Sequence, residues 1–362
     1  MRLFTCQNCG QMLHFENVVC MRCGMTLGFL PGPLTLSALE LRGDRWLARA
    51  DGGEWRQCPN LAQAHCNWMV PVDSAEPHCP SCALDRTIPD LDVPGNPERW
   101  QAIETAKRRL VYALNRFGLP IAHPGDGAGE GLVFDFLADA GPDEPVLTGH
   151  DDGLITINIA EADSAEREKR RVQLGEPYRT LLGHMRHEVG HYYWDVLVRD
   201  GGKIDACRAI FGDESVSYEE ALKQHYQNGA PPDWNQHFVS AYATMHPWED
   251  FAETWTHYLH MVDTLDTARS FGLAVDPVVS EEGSAIVAFD PYRTRSFDSL
   301  VAPWLPLTVA LNSLNRSMGQ PDVYPFALSP TAIEKLRFIH ALVRSVEIAA
   351  AEPVSVRGRA GG

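Results

Sequence analysis

The chain has 362 residues, 44% of them hydrophobic, and a formal net charge of -17 at pH 7. This length allows two or more domains with buried cores. The negative charge argues against nucleic acid or an anionic membrane as the main partner, because both attract surfaces rich in Lys and Arg. No signal peptide and no run of 18 apolar residues is found, so we expect a soluble protein of the cytoplasm.

The cysteines point to metal binding near the start of the chain. Eight of the nine precede residue 83, mostly in C-x-x-C pairs. In a chain without an export signal, this pattern indicates metal sites rather than disulfides. The first quartet has the spacing of a zinc ribbon, in which four thiolates close a structural site and leave no position for water. Its members are Cys6, Cys9, Cys20 and Cys23.

A second quartet has a looser first spacer and ends in another C-x-x-C pair; it consists of Cys58, Cys66, Cys79 and Cys82. His65 and His78 could each replace a neighbouring cysteine, although we favour bystander roles. Residues 1–95 carry seven Lys and Arg against ten Asp and Glu. Because a nucleic-acid-binding ribbon should be basic, we predict a scaffold or protein-docking region over residues 1–90. Nucleic-acid binding is a minor alternative.

Residues 87–97 are rich in proline and glycine, which predicts a linker. Asn96 and Pro97 then open a helix whose apolar stripe ends at Gly118. Its basic cluster, Lys107 to Arg109, favours a solvated face over a binding patch. Residues 96–350 should form the second domain, and residues 351–362 a flexible tail.

Two stretches, 132–137 (LVFDFL) and 154–159 (LITINI), predict strands that pair in a small twisted sheet. The second strand could run along a substrate cleft and pair with an extended peptide. The alternative is an ordinary interior strand. Pro177 should start the next helix, which contains the central motif of the chain.

That motif is His187-Glu188-Val189-Gly190-His191. Residues four apart on a helix project to the same side, so both imidazoles can bind one ion. A zinc with two imidazoles and one further protein ligand keeps an open position for water, and Glu188 could accept that water's proton. Gly183 and Gly190 disfavour the helix, which suggests close contact with another segment there.

Two neighbours of the motif leave several roles open. His184, one turn earlier, could be a third ligand, a substrate contact or a packed histidine. Asp195 could orient an imidazole or be a surface acid. The polar segment 201–236, with a helical piece around Tyr218 to Tyr226, should cover or border the cleft. Cys207 favours a buried thiol over a nucleophile.

A second helical stretch, Trp248 to Trp255, supplies carboxylates. Four residues share one face of this helix, so geometry allows any of them to be the third ligand. They are Glu249, Glu253, His257 and His260. For the two histidines we favour supporting or packing roles. Further on, Arg316 could bind a substrate carboxylate, although an ion pair within the chain is the safer interpretation.

The two motifs together resemble the gluzincin branch of zinc peptidases, and the whole chain resembles bacterial zinc-binding metallopeptidases with an N-terminal zinc-ribbon region. The resemblance rests on HEVGH and on EDFAE, residues 249–253. It implies that Glu249 is the zinc ligand and Glu253 a supporting residue. In a toxin peptidase of this branch, a tyrosine seven residues before the ligand stabilises the oxyanion; the equivalent residue is Tyr242.

The expected fold is therefore α+β: a double zinc-ribbon region, then a mainly helical, zincin-like domain with a small sheet. The expected function is hydrolysis of a peptide or protein substrate, with one catalytic and two structural zinc ions. A protein partner could bind the ribbons. The alternative is a scaffold or binding module whose H-E-x-x-H helix holds zinc without turnover.

Overall fold

The computed structural model describes residues 2–122, 131–139, 141, 146–173, 180–279 and 283–351. Within these ranges the chain forms short sheets near its start and long helices in its second half. The expected α+β architecture, a cysteine-rich region followed by a mainly helical one, is confirmed. Pro177 and most of the C-terminal tail lie outside the described residues.

The N-terminal region contains a sheet that the cysteine pattern did not predict. A small hairpin comes first, formed by β1 (Phe4–Thr5) and β2 (Met12–Leu13). An antiparallel sheet in the order β3-β4-β5-β6-β7 follows. Its strands are β3 (Thr26–Leu30), β4 (Thr35–Arg42), β5 (Arg45–Ala48), β6 (Glu54–Gln57) and β7 (Met69–Pro71). The short helix α1 (Leu61–Ala64) lies between β6 and β7.

Close packing across this sheet depends on a glycine in β3. A Cβ atom at Gly28 would lie 2.6 Å from the side chain of Met69 and 2.8 Å from that of Leu39. One face of the sheet forms a small separate core. The residues of that core are Leu30, Leu39, Ala48, Trp55 and Met69. The opposite face, with Phe29, joins the main hydrophobic core of the molecule.

The helix α2 (Asn96–Phe117) connects the two regions. Its predicted apolar stripe is buried, and Gly118 ends it in the left-handed conformation, as expected. The expected exposure of the basic cluster is wrong for Lys107 and Arg108, which are 0% and 3% exposed. Lys107 contacts Asp85 and Glu104, since the ribbon region covers this side of the helix as well. Arg109 stays partly exposed.

A four-stranded sheet in the order β10-β11-β9-β8 stands beside α2. Its strands are β8 (Asp85–Thr87), β9 (Val133–Leu137), β10 (Gly149–Asp151) and β11 (Leu154–Asn158). The two predicted strands pair as expected, with β11 parallel to β9. Because β11 also pairs with β10, LITINI is an interior strand, and β10 occupies the edge.

The remaining elements are mostly helices. They are α3 (Ser164–Gln173), α4 (Leu181–Trp194), α5 (Ile204–Phe211), α6 (Tyr218–Asn228), α7 (Pro247–Phe271), α8 (Asp298–Ser317) and α9 (Pro330–Ala351), with the hairpin β12 (Ala274–Val275) and β13 (Ala285–Ile286) before α8. A π-helical turn, Asp195–Arg199, extends α4. Pro303 and Pro306 lie inside α8, so the predicted apolar stretch continues as a helix.

The close crossing of α4 and α7 brings the two sequence motifs together. The glycine prediction holds at Gly190, where an added Cβ would lie 3.0 Å from the Cα of Ala252. At Gly183 the nearest atom would be the Thr180 hydroxyl, at 2.9 Å. Thr180 caps α4, since its hydroxyl accepts a hydrogen bond from the Gly183 N–H.

Candidate functional site

The two motif histidines lie one turn apart on α4, with ring centroids 4.9 Å from each other. Glu249 comes from the first turn of α7, where His246 caps the helix by accepting from the Trp248 N–H. Glu249 Oε2 lies 2.8 Å from His187 Nε2, and Glu249 Oε1 lies 3.5 Å from His191 Nε2. The structure therefore brings together the three residues that the sequence proposes as ligands.

This donor set fits a zinc ion. Zinc accepts imidazole nitrogens and carboxylate oxygens in tetrahedral sites. The three ligand atoms lie within 4.8 Å of one another, and all three residues are buried. Burial alone would raise the pKa of Glu249, but the charges and hydrogen bonds of His191 and His187 bring it well below its ordinary value. The carboxylate is thus in the charged form that a metal requires.

Glu253, one turn further along α7, orients the first imidazole. Its Oε1 lies 2.7 Å from His187 Nδ1, and its Oε2 accepts a hydrogen bond of 2.6 Å from the Ser240 hydroxyl. A carboxylate at Nδ1 fixes the tautomer and leaves Nε2 to face Glu249. Glu253 therefore contacts a candidate ligand, as expected of a supporting residue, and Ser240 is a contact that the sequence did not indicate.

Glu188 pairs with His184, one turn earlier on α4, and not with a surface Lys or Arg. Glu188 Oε1 lies 3.1 Å from His184 Nε2, and His184 Nδ1 lies 2.5 Å from Glu161 Oε2. Carboxylates only accept hydrogen bonds, so the imidazole between them donates from both nitrogens. Burial opposes its charge, but Glu161 and Glu188 raise the pKa of His184 to about 9.

The pKa of Glu188 is lowered in turn. Burial acts against ionisation, but the hydrogen bond and charge of His184, together with His187 and His191, outweigh it. Glu188 is thus an ionised acceptor beside the three candidate ligands. Of the three roles open for His184, the structure supports a packed histidine that also lines the cavity; its nitrogens are not among the converging ligand atoms.

Two tyrosines face the same centre. Tyr242 lies in a short turn before α7, and its ring centroid is 6.0 Å from that of His187. Burial and the charge of Glu249 raise its pKa, so the phenol keeps its proton and can donate it in a hydrogen bond. Tyr218, from α6, donates a hydrogen bond of 2.8 Å to Glu249 Oε1. No motif links Tyr218 to Glu249, and the sequence assigned it no role.

All these groups line one cavity of about 940 Å³. Its walls include α4 and α7 on one side and residues of α6 on another, so the predicted helical piece does border the cleft. Residues 146–150, which include the first two residues of the edge strand β10, form a further wall. The cavity therefore joins a candidate metal centre, an acceptor carboxylate and a strand edge that has no partner among the described residues.

Comparison with known proteins shows the family of the chain. The family model described as "Putative zinc-binding metallo-peptidase" matches residues 96–342, which contain the three candidate ligands and Glu188. The chain belongs to this zinc-binding metallopeptidase family. A second model, of a zinc-ribbon domain, matches residues 3–93.

The chain also has bacterial relatives of nearly equal length. Uncharacterized proteins of Mycobacterium bovis and Mycobacterium tuberculosis are 44% identical to it over 348 residues, which cover 96% of each chain. No solved structure matches the chain. Across the part of the chain that the structure describes, no helix has both the length and the apolar character needed to cross a membrane.

The cysteines near the start of the chain form the two expected quartets. In the first, Cys6 Sγ lies 3.7 Å from Cys23 Sγ, and Cys9 Sγ lies 3.6 Å from Cys20 Sγ. In the second, Cys66 Sγ lies 3.7 Å from the sulfurs of Cys79 and Cys82, and all four residues, Cys58 among them, are buried. Four converging sulfurs suit tetrahedral zinc. His65 and His78 do not belong to either group.

Asp195 does not orient a ligand imidazole. Its Oδ1 lies 3.0 Å from Arg199 Nη1, and its Oδ2 lies 3.9 Å from His150 Nε2. Within the described residues, His191 Nδ1 is buried and has no hydrogen-bond partner. Asp195 is largely buried, so the alternative of a surface acid is wrong as well.

The other histidines of α7 have supporting contacts. His257 Nδ1 lies 2.7 Å from the Tyr324 hydroxyl, and His260 Nδ1 lies 2.5 Å from Arg186 Nη1. Neither belongs to a converging set of ligand atoms. These contacts agree with the packing roles expected for both residues.

For Cys207 and Arg316, the structure supports the structural one of the two roles considered, and not the catalytic or substrate-binding one. Cys207 is buried, and this burial raises the pKa of its thiol to about 12, which disfavours a nucleophile. Arg316 forms an ion pair with Asp322, with 2.6 Å between Nε and Oδ1. Arg316 is thus engaged within the chain.

Proposed function

We propose that this protein is a zinc-dependent peptidase of the gluzincin type. The observation that supports this function best is that His187, His191 and Glu249 converge at the wall of the cavity that Glu188 and Tyr242 also line. A zinc ion held by these three residues would polarise a substrate carbonyl and lower the pKa of a coordinated water.

The residues around this centre have the properties that peptide hydrolysis requires. Glu188 is ionised and held by His184, so it can accept a proton from water and return it to the leaving amine. Tyr242 keeps its phenolic proton and can donate a hydrogen bond to the oxyanion that develops on the substrate. Glu253 holds His187 in the tautomer that leaves Nε2 available.

The sheet edge beside the cavity suits an extended substrate. Among the described residues, β10 pairs with β11 on one side and has no strand on the other, and residues 146 to 150 line the cavity. An unpaired edge can add the backbone of a bound peptide as a further strand. We therefore propose a peptide or protein substrate that pairs with β10, and not with the interior strand LITINI.

We further propose two structural zinc ions in the cysteine quartets, in addition to the catalytic ion. None of the nine cysteines forms a disulfide, which agrees with a reducing compartment, and we propose the cytoplasm. The region that matches a zinc ribbon could also dock a protein partner. Neither ribbon is basic, and we propose no role in binding nucleic acid.

The test of this function is the substitution Glu188→Gln. Glutamine keeps the shape of the side chain but cannot accept the proton of the attacking water. We expect the variant to keep the zinc content of the wild type and to lose hydrolysis of peptides. Cleavage of a diverse peptide library, read by mass spectrometry, measures the activity, and elemental analysis measures the metal.

Glu334→Gln is the matched control, because this Glu lies on α9 with a side chain 62% exposed and outside the cavity. It should cleave the library as the wild type does. Undiminished turnover in Glu188→Gln would refute the role of Glu188 and the proposed mechanism. Absence of cleavage by the wild type, with zinc bound at His187, His191 and Glu249, would favour a scaffold.

A further inference from the structure

The bond between Tyr218 and Glu249 connects the metal centre to the helix that borders the cavity. Glu249 is 2% exposed, so both its oxygens need partners within the protein. Oε2 faces His187 Nε2 at 2.8 Å, and Oε1 accepts from the Tyr218 hydroxyl at 2.8 Å. The carboxylate is thus held from two sides, by α4 and by α6.

A hydrogen bond to a ligating carboxylate affects metal binding in a known way. It fixes the orientation of the ligand before the metal arrives, and loss of such partners commonly weakens affinity by about tenfold to a hundredfold. The Tyr218 hydroxyl supplies one such bond to Oε1 of Glu249, while Oε2 of Glu249 faces His187.

The helix α6 has few other attachments. None of its residues is buried. It ends at Gly229, which has positive φ. Among the described residues, its other side-chain hydrogen bond to the cavity wall joins His225 Nδ1 and Thr244 Oγ1, at the long distance of 3.5 Å, and the Val216 carbonyl just before the helix accepts from His246 Nε2 at 3.1 Å. The bond of the Tyr218 hydroxyl to Glu249 is the shortest of these contacts.

We propose that Tyr218 is a positioning residue for the metal ligand Glu249, and that the same bond fastens α6 over the cavity. The inference rests on the proposed metal centre, but not on peptide hydrolysis. It assigns to α6 a role in completing the metal site, so that the ligand set is fully ordered only when the cavity is covered.

The first test compares metal affinity in the full-length protein. Tyr218→Phe removes only the hydroxyl from a partly exposed ring, and we expect about tenfold to hundredfold weaker binding at this site. With the cysteine sites kept loaded with zinc, cobalt(II) is titrated into the remaining site against a chelator. Cobalt bound by nitrogen and oxygen lacks the intense thiolate absorption that a cysteine site would give, so the two kinds of site are distinguished.

Tyr226→Phe is the control for metal affinity. Tyr226 lies on the same helix and lines the same cavity, and its hydroxyl has no contact with Glu249 among the described residues. We expect this variant to bind cobalt as the wild type does. Equal affinity in Tyr218→Phe and the wild type would overturn the proposal, even if turnover fell, because the phenol would then act on the substrate alone.

The second test is hydrogen exchange of the backbone. In Tyr218→Phe, amides of residues 218–228 should exchange severalfold faster than in the wild type or in Tyr226→Phe. Unchanged exchange would show that other contacts hold α6 and would refute the fastening role. Neither test needs a substrate, so both stay decisive if the wild type hydrolyses no peptide.

Discussion

At the scale of single residues, the site is a set of carboxylates and imidazoles that fix one another's charge. His184 donates to two carboxylates, and Glu253 holds one nitrogen of His187. Each imidazole thereby has one defined role. Because these partners are buried, removal of one of them should lower stability as well as alter the chemistry of the site.

Tyr242 gives a prediction at this scale. Substitution of Tyr242 by Phe keeps the ring beside His187 and removes the hydrogen bond offered to the oxyanion. By analogy with the loss of one oxyanion donor, turnover should fall by roughly tenfold to a thousandfold. Steady-state kinetics on a cleaved peptide measure the effect, and KM should change much less than kcat.

A structural role for Tyr242 would give a different result. If its hydroxyl matters only for packing, Tyr242→Phe should keep the turnover of the wild type. The thermal unfolding temperature separates the two cases, since a defect in packing would lower it and a missing oxyanion donor would not. No loss of turnover would assign Tyr242 to packing.

At the scale of elements, α7 carries three functional side chains on successive turns. They are Glu249, the third candidate ligand, Glu253, which contacts His187, and the buried His257. Its close approach to α4 at Gly190 sets the distance between the two motifs. A helical period of 3.6 residues accounts for why the side chains at 249, 253 and 257 share a face. The geometry of the metal centre is thus a property of two crossing helices.

His257 gives a prediction for pH dependence. Burial lowers its pKa to about 4, against an ordinary value near 6.5, while Glu253 opposes this effect. Between these values the unfolded chain binds a proton that the folded chain does not, so the free energy of unfolding falls as pH drops. Over about pH 7.5 to about pH 5, this single group should contribute about 2 kcal/mol.

His257→Gln should remove the contribution of this group to the change in the free energy of unfolding between about pH 7.5 and about pH 5. Denaturant unfolding at these two pH values measures the change. Tyr324→Phe is the matched control, because it deletes the same hydrogen bond but leaves the titrating ring. It should keep the slope of the wild type although its stability is lower. Parallel curves for His257→Gln and the wild type would contradict the assignment.

The elements also show what the sequence could and could not predict. The motif helix, its partner helix and the approach at Gly190 follow from local spacing, which a sequence records directly. The contacts of Glu188 with His184, of His184 with Glu161 and of Glu249 with Tyr218 do not, except for the pair four residues apart. Tyr218 and Glu249 are 31 positions apart, and only the tertiary fold brings them together.

The five-stranded sheet shows a different difficulty. Apolar and polar residues alternate in part of Thr35–Arg42, which is compatible with a strand. The cysteine quartets on either side predicted metal sites but no sheet. The burial of Lys107 could not be predicted from its helix, because Asp85, its partner, lies in another element. Pairing across elements decides whether such a cation is exposed.

At the scale of the whole molecule, the cysteine-rich region and the helical region share one hydrophobic core. The cluster runs from Phe4 and Phe29 through Tyr112 of α2 to Val343 of α9. Phe15 contacts Tyr112 with ring centroids 5.0 Å apart. We therefore infer that the second region depends on the first for part of its stability, although each matches a family model of its own.

The second cysteine quartet lies where this dependence should be strongest. Cys82 Sγ is 3.6 Å from Glu104 Oε2 on α2, and Lys107 Nζ is 2.5 Å from Glu104 Oε1. All these groups are buried. Loss of a zinc ion here would leave charged side chains of α2 without their neighbours, in a place that water does not reach.

Cys66→Ser tests this coupling, since it removes one of the four buried sulfurs. We expect loss of one zinc ion and faster hydrogen exchange in α2 and α7, because the shared core loosens together with the quartet. Cys9→Ser is the matched control: Cys9 is only partly buried and belongs to the less buried quartet, so exchange in α2 and α7 should rise less than in Cys66→Ser. If Cys66→Ser also left exchange in α7 unchanged, the two regions would be independent folding units despite their common core.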